Sequence, residues 1–257
     1  MIFADARLAR RLEEAEAANA RGCSYGEGAA VLEVAGGCAI FVGADSPLTH
    51  AVGLGLSGTV RLPEIEGMES FFRSRGAKVV VDLCPLADQS LLEILSERGF
   101  RATEFNNVLV RRLAGLEIGM TPRVRRTTPT ETELWSHTVG SGFFDQRELT
   151  NEEMDVGRAI FAMPGAHCYL AATENGEPAA AAALSVRSGL ATLFADSTIA
   201  RYRGAGLHRE LIAARLYEAA AQGCDLATAS TLPGSGSQRN FERLGFEVVY
   251  TKISMVG

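Results

Sequence analysis

The sequence predicts an α/β (α+β) protein built from two tandem units. Helical and strand patterns alternate along its 257 residues, and one order of elements comes twice. In Gly76–Phe100 and in Gly223–Phe246, a glycine that ends a helix is followed by a buried strand, Pro, a short helix and Gly-Phe. The first glycines of the two segments lie 147 residues apart, and the glycines before Phe lie 146 apart. This spacing favours a duplication, although any two α/β units share Gly after helices and Pro after strands.

Local patterns define the elements of the first unit. An opening helix over Asp5–Ala20 places Leu8, Leu12 and Ala15 on one face, at steps of four and three residues. The elements that follow are strands at Ala30–Val34, Cys38–Val42 and Ala51–Leu56, a helix at Glu64–Arg75, a strand after Lys78, a helix at Ser90–Arg98 and a strand at Asn107–Arg111.

A linker predicted at Ala114–Pro122 divides the chain into a first domain, residues 1–116, and a second domain, residues 120–257. Asn175-Gly176 in the second domain is a strong hairpin signal. The elements of this domain are a strand at Arg123–Thr127, helices at Glu131–Val139 and Asn151–Ala162, strands at Cys168–Thr173, Pro178–Val186 and Leu190–Thr198, a helix at Leu207–Gln222, a strand, a short helix and a final strand.

Composition disfavours several classes of function. Acidic residues outnumber basic ones, 31 to 25, in a pattern without a basic half, which argues against nucleic-acid binding. The five cysteines are scattered and form no CxxC pair, which predicts a reduced, cytoplasmic chain without disulfides or a metal site. The amino terminus lacks the pattern of a signal peptide, and the longest apolar run, Ala179–Leu184, is too short to span a membrane. Whether the chain forms a homodimer stays open.

The segment from Arg201 to Leu211 carries the strongest functional signal. It lies between a predicted strand and an amphipathic helix, and glycines at positions 204 and 206 remove side chains from the turn. Bare N–H groups at a helix start, together with the positive end of the helix dipole, favour a phosphate. The alternative is an ordinary glycine-containing connection. The apolar stripe of the helix comprises Leu207, Leu211, Ile212, Leu216 and Ala219.

A second helix start follows at Ser235–Gln238, which has the pattern of a capping box. Tyr202–His208 and Phe241–Phe246 together resemble the Gcn5-related N-acetyltransferase (GNAT) superfamily. They match its Gln/Arg-x-x-Gly-x-Gly/Ala loop, which cradles the pyrophosphate of acetyl-CoA, and its aromatic-Glu-x-x-Gly-Phe signature. Two registers of the loop are open, and we prefer the one that puts His208 at its last small position. The resemblance implies GNAT-like (acyl-CoA N-acyltransferase) units with a mixed, mainly antiparallel central sheet flanked by helices.

The first unit is expected to keep this fold without its anion site. A shift of the loop by 147 residues reaches residues 56–61, which hold one glycine and precede Pro63. Tandem members of the superfamily that keep one degenerate half have this character. Gly53–Gly58 is a literal GxGxxG, but Thr59–Arg61 separates it from the next helix, which disfavours a dinucleotide site.

The resemblance implies a cofactor site for acetyl-CoA, with no metal. Backbone N–H groups of the strand before the loop would polarise the thioester carbonyl. The predicted cofactor-binding residues are Ser197, Thr198, Ile199, Arg203, Gly204, Ala205, Gly206, Leu207, His208, Ser237, Asn240 and Phe241.

Catalysis needs a base for the amine and tolerable departure of the thiolate. Asp196 is the predicted base, because it shares a strand face with Phe194 and Thr198, and the alternative is a carboxylate that faces water. Phe241 stands where members of the family usually have the tyrosine that acts as the general acid. Tyr250 or a water molecule is therefore the predicted substitute for this acid.

The predicted acceptor contacts are Phe143, Phe144 and Asp145, which follow two glycines between predicted helices. The alternative is that the phenylalanines belong to the core and that Asp145 caps a helix. The leading hypothesis is an acetyl-CoA-dependent N-acetyltransferase that acts on a small-molecule or peptide amine by direct transfer. The competing hypothesis is a non-catalytic acyl-CoA-binding or scaffold protein.

Overall fold

The computed structural model describes residues 2–23, 26–115 and 122–257. The predicted domain boundaries at residues 116 and 120, and most of the predicted linker, lie outside the described residues. The chain forms two compact units: unit 1 comprises Met1–Val108 and Val248–Gly257, and unit 2 comprises Leu109–Glu247. Val248–Gly257, which we predicted as part of the second domain, therefore belongs to unit 1.

Unit 1 has strand order β1-β2-β3-β4-β11-β5. Its first three strands pair antiparallel, β3 and β4 pair parallel, and β4 and β11 pair antiparallel. The elements are α1 (Ala6–Gly22), β1 (Ala30–Val34), β2 (Gly37–Phe41), β3 (His50–Val52), α2 (Leu62–Arg73), β4 (Val80–Leu83), α3 (Gln89–Glu97), β5 (Arg101–Arg112, to Val108) and β11 (Glu247–Val256, from Val248).

Unit 2 begins with the end of β5 and has strand order β5-β10-β9-β8-β7-β6. Strands β6 to β9 pair antiparallel in sequence order, and β9 and β10 pair parallel. The elements are β6 (Val124–Arg126), α4 (Thr132–Phe143), α5 (Asn151–Ala162), β7 (Ala166–Ala172), β8 (Pro178–Arg187), β9 (Leu190–Thr198), α6 (Leu207–Ala221), β10 (Leu226–Thr231) and α7 (Gly236–Arg243), with short 3-10 turns at Pro129–Glu131 and Ala200–Tyr202.

Both units are mixed, mainly antiparallel sheets flanked by helices, which confirms the predicted fold class. The order helix, three antiparallel strands, helix, parallel strand, helix is present in each, from α1 to α3 and from α5 to α7. In neither case does the strand that comes next along the chain, β5 or β11, neighbour the parallel strand before it. In unit 1, β4 pairs with β11 from the far end of the sequence, and in unit 2, β10 neighbours the end of β5. Thr228 Oγ1 donates to Leu109 O at 3.0 Å on this side of β10.

Three predicted elements, described below, differ in extent by four residues or more at one end. Strand β3 ends at Val52 because Gly53 has a positive φ of 75°, which turns the chain away from the extended conformation. Strand β5 begins six residues before its predicted start, at Arg101. Helix α4 continues to Phe143, so the predicted loop at residues 140–143 is the end of a helix. Gly140 lies against Leu149 and Gly142 against Thr198, where a side chain on either glycine would clash.

Strand β9 carries a bulge that shapes the edge of unit 2. Ala181 faces Ser197 and Ala183 faces Phe194, so Ala195 and Asp196 together oppose one residue of β8. Ala195 has a φ of +54° at this point. The parallel register of β9 with β10 covers residues 190–192, so the later residues of β9 present this edge to a cleft.

Candidate active site

A cleft of about 550 Å³ lies in unit 2 where the end of β9 meets the starts of α6 and α7. Helix α6 is fixed beneath it by the predicted apolar stripe, whose five members are each at most 2% exposed. The lining residues are Gly142, Asp196, Ser197, Thr198, Tyr202, Arg203, Gly204, Gly206, Leu207, His208, Arg209, Gly236, Ser237, Asn240 and Arg243.

The glycine loop leaves the start of α6 open. Gly204 and Gly206 adopt left-handed φ values of +84° and +83°, which other residues rarely adopt, and Gly206 is the N-cap without a capping side chain. The first N–H groups of a helix have no acceptor within the helix, so those of Leu207 and His208 are free to bind a ligand. A Cβ at Gly204 would meet no atom within 4 Å. The loop therefore offers a bare, roomy cradle for an anion.

Arg123 holds this loop in shape. Its Nη2 donates to Ala205 O at 3.1 Å, and its guanidinium forms an ion pair with Glu210 in the first turn of α6. Ala205 was predicted as a cofactor contact, but it does not line the cleft. Its carbonyl group is instead engaged by Arg123.

Three arginines make the cleft electropositive: Arg203, Arg209 and Arg243. Arg203 donates from Nε to Thr198 O at 3.2 Å and from Nη2 to Gly142 O at 3.1 Å. Arg209 and Arg243 are exposed and have no ion pair within the described part of the chain. These two cations are therefore available to a polyanionic ligand.

Among the predicted backbone donors of β9, Thr198 is placed best. The N–H of Ile199 donates to Ala179 O at 3.0 Å, so it is already engaged, and Ile199 does not line the cleft. Because successive N–H groups of an antiparallel strand point to opposite edges, that of Thr198 points away from β8 and toward the cleft. Ser197 lines the cleft, but its Oγ donates to Val139 O at 2.7 Å.

Asp196 lines the cleft and is paired with a buried arginine. Arg215 of α6 has a fully buried side chain, donates to Asp196 Oδ2 at 3.1 Å and also bonds Asp196 Oδ1. Arg215 Nη1 donates to Ala183 O at 2.9 Å, beside the bulge. Burial opposes ionisation of Asp196, but the Arg215 guanidinium and the hydrogen bond from His208 hold the pKa of this carboxyl below its usual value. A carboxylate so stabilised is a weak acceptor for the proton of an amine.

His208 connects this carboxylate with α7. Its Nε2 lies 3.1 Å from Asp196 Oδ1, and its Nδ1 lies 3.0 Å from Asn240 Nδ2. Its ring packs edge-on against Phe241, with 5.6 Å between the ring centroids. Asn240 and Ser237 line the cleft as predicted. The start of α7 is capped by Ser235, whose side chain accepts from Gln238 N, but the Gln238 side chain accepts from Gly234 N rather than from Ser235 N.

Phe241 is a core residue and does not line the cleft. It is 1% exposed and packs against Phe246 at 4.9 Å as well as against His208. Phe241 therefore serves as packing in the core of unit 2, and its predicted contact with the cofactor has no direct path to the cleft surface.

Tyr250 is a residue of unit 1 and is absent from the cleft lining. Its hydroxyl donates to Glu13 Oε1 at 2.8 Å, and burial, with the Glu13 charge, raises the pKa of this phenol far above its usual value. Tyr250 as the acid of the reaction therefore lacks support from its surroundings, because a phenol with a raised pKa that bonds a carboxylate is a poor donor to a thiolate.

The predicted acceptor residues lie beside the cleft and do not line it. Phe143 is 58% exposed, so it is not a core residue, and Phe144 caps the end of α4. Asp145 has a φ of +57° and pairs with Arg203 at 3.2 Å. Their contact with an acceptor stays a prediction.

Five lining residues were not predicted: Gly142, Tyr202, Arg209, Gly236 and Arg243. Helical periodicity was a usable signal for Arg243, because Ser237, Asn240 and Arg243 are spaced by three residues and share one face of α7. Gly142 had no such signal, since its role depends on the approach of α4 to Thr198.

The geometry defines a fold class, and comparisons with solved structures agree with it. A GCN5-related N-acetyltransferase from Kribbella flavida superposes with a TM-score of 0.69 at 18% identity, covering 100% of this chain and 96% of the other. One from Sphaerobacter thermophilus gives 0.57 at 13% identity, covering 75% and 66%. A tandem GNAT protein from the clavulanic acid biosynthesis pathway gives 0.54 at 14% identity, covering 73% and 66%. Comparison with curated proteins gave no match.

The family model described as acetyltransferase (GNAT) family matches residues 132–246. This range contains the whole lining of the cleft. The cleft therefore lies within the segment of the chain that is similar to the acetyltransferase (GNAT) family. No helix among the described residues is both long and apolar enough to cross a bilayer.

Proposed function

We propose that the protein is an N-acetyltransferase that moves an acetyl group from acetyl-CoA to a primary amine of a small molecule or peptide by direct transfer. The observation that carries this proposal is the open start of α6, where Gly204 and Gly206 leave backbone N–H groups bare beside Arg203, Arg209 and Arg243. A pyrophosphate carries the negative charge and the acceptor oxygens that these groups require.

The residues present also suit the thioester end of acyl-CoA. The unpaired edge of β9 offers the Thr198 N–H as the group that polarises the thioester carbonyl. A cleft of about 550 Å³ is within the usual size of cofactor pockets. Asp145, next to Arg203, is the candidate contact for the ammonium form of the acceptor.

Two measurements test the proposal in sequence. Calorimetric titration with acetyl-CoA should give one site per chain, because among the described residues the open glycine loop belongs to unit 2. Incubation of the protein with acetyl-CoA and a library of primary amines should then release free thiol with at least one amine, above the rate without amine. A chain that fails to bind acetyl-CoA contradicts the proposal at its first step.

The competing function is acyl-CoA binding without catalysis. Three observations favour it: Phe241 is packed in the core, Tyr250 bonds Glu13, and Asp196 is held ionised by Arg215. Binding of acetyl-CoA without thiol release across the amine library would support this function over acetyl transfer.

A further inference from the structure

Arg215 of α6, which has a fully buried side chain, contacts both strands at the bulge of β9. Its Nε donates to Leu211 O at 3.0 Å, one turn earlier in the same helix. Its Nη1 donates to Ala183 O of β8 at 2.9 Å and to Phe194 O of β9 at 3.4 Å. The same nitrogen donates to Asp196 Oδ2 at 3.1 Å, and Nη2 bonds the other oxygen of this carboxylate. One guanidinium therefore joins α6 to β8 and β9.

These contacts lie on either side of a strained residue. Ala195 has a φ of +54°, a conformation that residues other than glycine rarely adopt. Arg215 binds the carbonyl group of the residue before it and the carboxylate of the residue after it. Strained backbone persists only where its surroundings hold it. A bulge also disrupts the ladder of backbone hydrogen bonds, and the guanidinium supplies donors to both carbonyl groups of the residue pair beside it.

The bulge decides which edge of β9 the Thr198 N–H faces. Ile199 N donates to Ala179 O of β8, so the Thr198 N–H, one residue earlier, points to the opposite edge and toward the cleft. Because successive N–H groups of a strand alternate in direction, a shift by one residue would reverse them all. Without the extra residue of the bulge, the Thr198 N–H would face β8 instead of a ligand.

We infer that Arg215, with Asp196 as its partner, is a positioning residue that keeps the bulge of β9 in the shape that turns the Thr198 N–H toward the cleft. This inference rests on the proposed function, in which this N–H polarises the thioester carbonyl of the acyl donor. Arg215 does not line the cleft, so it acts through the backbone of β9 rather than through contact with the donor.

A role in stability alone leaves the charge at position 215 unexplained. The neighbouring residues of the stripe on α6 are apolar and fully buried: Leu211, Ile212 and Leu216. Well-packed apolar side chains often stabilise a core as much as a buried ion pair does. The guanidinium differs from them because it offers five donors in a fixed geometry, and the bulge presents two carbonyl groups and one carboxylate to it.

The carbonyl stretch of bound acetyl-CoA reports on the Thr198 N–H. Difference infrared spectra are recorded for acetyl-CoA labelled with a heavy isotope at the acetyl carbonyl carbon, free in solution and bound to each protein. A hydrogen bond to the carbonyl oxygen lowers its stretching frequency, so we expect wild type to lower it. In Arg215→Met we expect the frequency to return to that of free acetyl-CoA. With an amine that supports thiol release, kcat should fall by about 10²-fold with little change in KM for acetyl-CoA.

The double variant Arg215→Met with Asp196→Asn separates positioning from folding. Loss of one partner of a buried ion pair leaves an unpaired charge and destabilises a protein strongly, whereas replacement of both partners is often tolerated. The asparagine keeps an acceptor for His208 Nε2, which lies 3.1 Å from Asp196 Oδ1. We expect the double variant to regain stability against denaturant while the carbonyl frequency stays at the free value.

The control is Arg158→Met, which breaks an ion pair of 2.6 Å with Glu133 in unit 2, outside the cleft lining. It should lower the carbonyl frequency as wild type does. Calorimetry on the same samples shows which proteins bind acetyl-CoA. Binding should persist in the Arg215 variants, because Arg123 holds the glycine loop.

An equal lowering of the carbonyl frequency in wild type and in the double variant would overturn the inference and leave the proposed function intact. A wild type that binds acetyl-CoA without lowering the frequency would also overturn it. A double variant that remains as unstable as Arg215→Met would assign the ion pair to stability of the fold and overturn the inference too. A wild-type protein that does not bind acetyl-CoA would overturn the proposed function itself.

Discussion

The starts of α2 and α6 occupy the same place in the element order of their units, yet their chemistry is opposite. Helix α6 begins at Gly206 with no capping side chain. Helix α2 begins after Arg61, and Glu64 Oε2 in its first turn accepts from Arg61 N at 3.0 Å. A carboxylate of the chain itself thus accepts from the backbone at the start of α2, whereas the first-turn carboxylate of α6, Glu210, is paired with Arg123. We therefore expect no anion site at the start of α2, because the Glu64 carboxylate already accepts from the backbone there.

The regions next to these two helix starts also differ, because one is packed and the other is open. In unit 1 the segment between β3 and α2 is filled by Leu54, Leu56 and Val60, all buried. Hydrogen bonds from Asp88 N to Gly55 O at 2.7 Å and from Val60 N to Ser90 Oγ at 2.8 Å join it to the start of α3. The equivalent region of unit 2 is the open cleft of about 550 Å³. One fold therefore serves either as a binding site or as a packed core, depending on how one connection is filled.

The largest expected effect comes from blocking the open start of α6. Gly206→Asp places a carboxylate at the start of α6 and forces a side chain into a φ of +83°. Repulsion between this carboxylate and a bound phosphate costs on the order of 2 kcal/mol or more, which is about a 30-fold loss of CoA affinity. Calorimetry measures the loss, and circular dichroism confirms that the variant is folded.

Gly58→Asp is the matched control in unit 1. Gly58 also has a positive φ, of 130°, and a Cβ there would meet no atom within 4 Å. CoA affinity should stay at the wild-type value. A similar loss in both variants, or two equal CoA sites in the wild type, would contradict the assignment of binding to unit 2 alone.

The second largest expected effect comes from changing Phe241 in α7. Its counterpart in α3 is Leu95, since each of these buried residues lies four positions before a Gly-Phe pair. Phe241→Tyr adds a hydroxyl inside the core of unit 2, where leaving it unpaired costs about 2 kcal/mol of the free energy of unfolding. Turnover should not rise. Denaturant unfolding and thiol release measure the two quantities, with the exposed Phe143→Tyr as a control of unchanged stability. Faster turnover in Phe241→Tyr would show instead that the ring faces the sulfur.

Local pattern was enough to predict much of this fold and ten of the fifteen residues that line the cleft. The bounds of α5 and β9 and the glycine loop follow from signals within a few residues of each other. The exchange of β11 and β5 could not be predicted, because pairing partners more than a hundred residues apart leave no local signal. The Arg215–Asp196 pair was within reach, since an arginine at position 215 interrupts the buried stripe of Leu211, Ile212 and Leu216.

The smallest expected effect is that of replacing Tyr250, which belongs to unit 1. Glu13 has its pKa raised to about 7, chiefly by burial, while Lys252 and the hydrogen bond from Tyr250 act in the opposite direction. A carboxyl with a raised pKa contributes stability that is complete below its unfolded value of about 4.5 and is lost as pH rises through about 7. Tyr250→Phe removes the donor to the ionised form, so its cost should be about 1.5 kcal/mol above pH 7 and smaller at pH 5.

Unfolding at the two pH values measures this difference, with the exposed Tyr217→Phe as the control. CoA affinity and thiol release per folded molecule should be unchanged. A large fall in thiol release without a loss of stability would restore Tyr250 as a catalytic residue.

The exchanged strand sets the order in which the units can be completed during translation. Unit 2 draws all of its residues from Leu109–Glu247, so every part of it has been synthesised before β11 emerges from the ribosome. Unit 1 starts earlier but waits for β11, so the edge of β4 that pairs with β11 stays unpaired while more than a hundred residues are added. The half of the sequence made first is therefore the half that is completed last, and until then it carries an unpaired strand edge of the kind that favours aggregation.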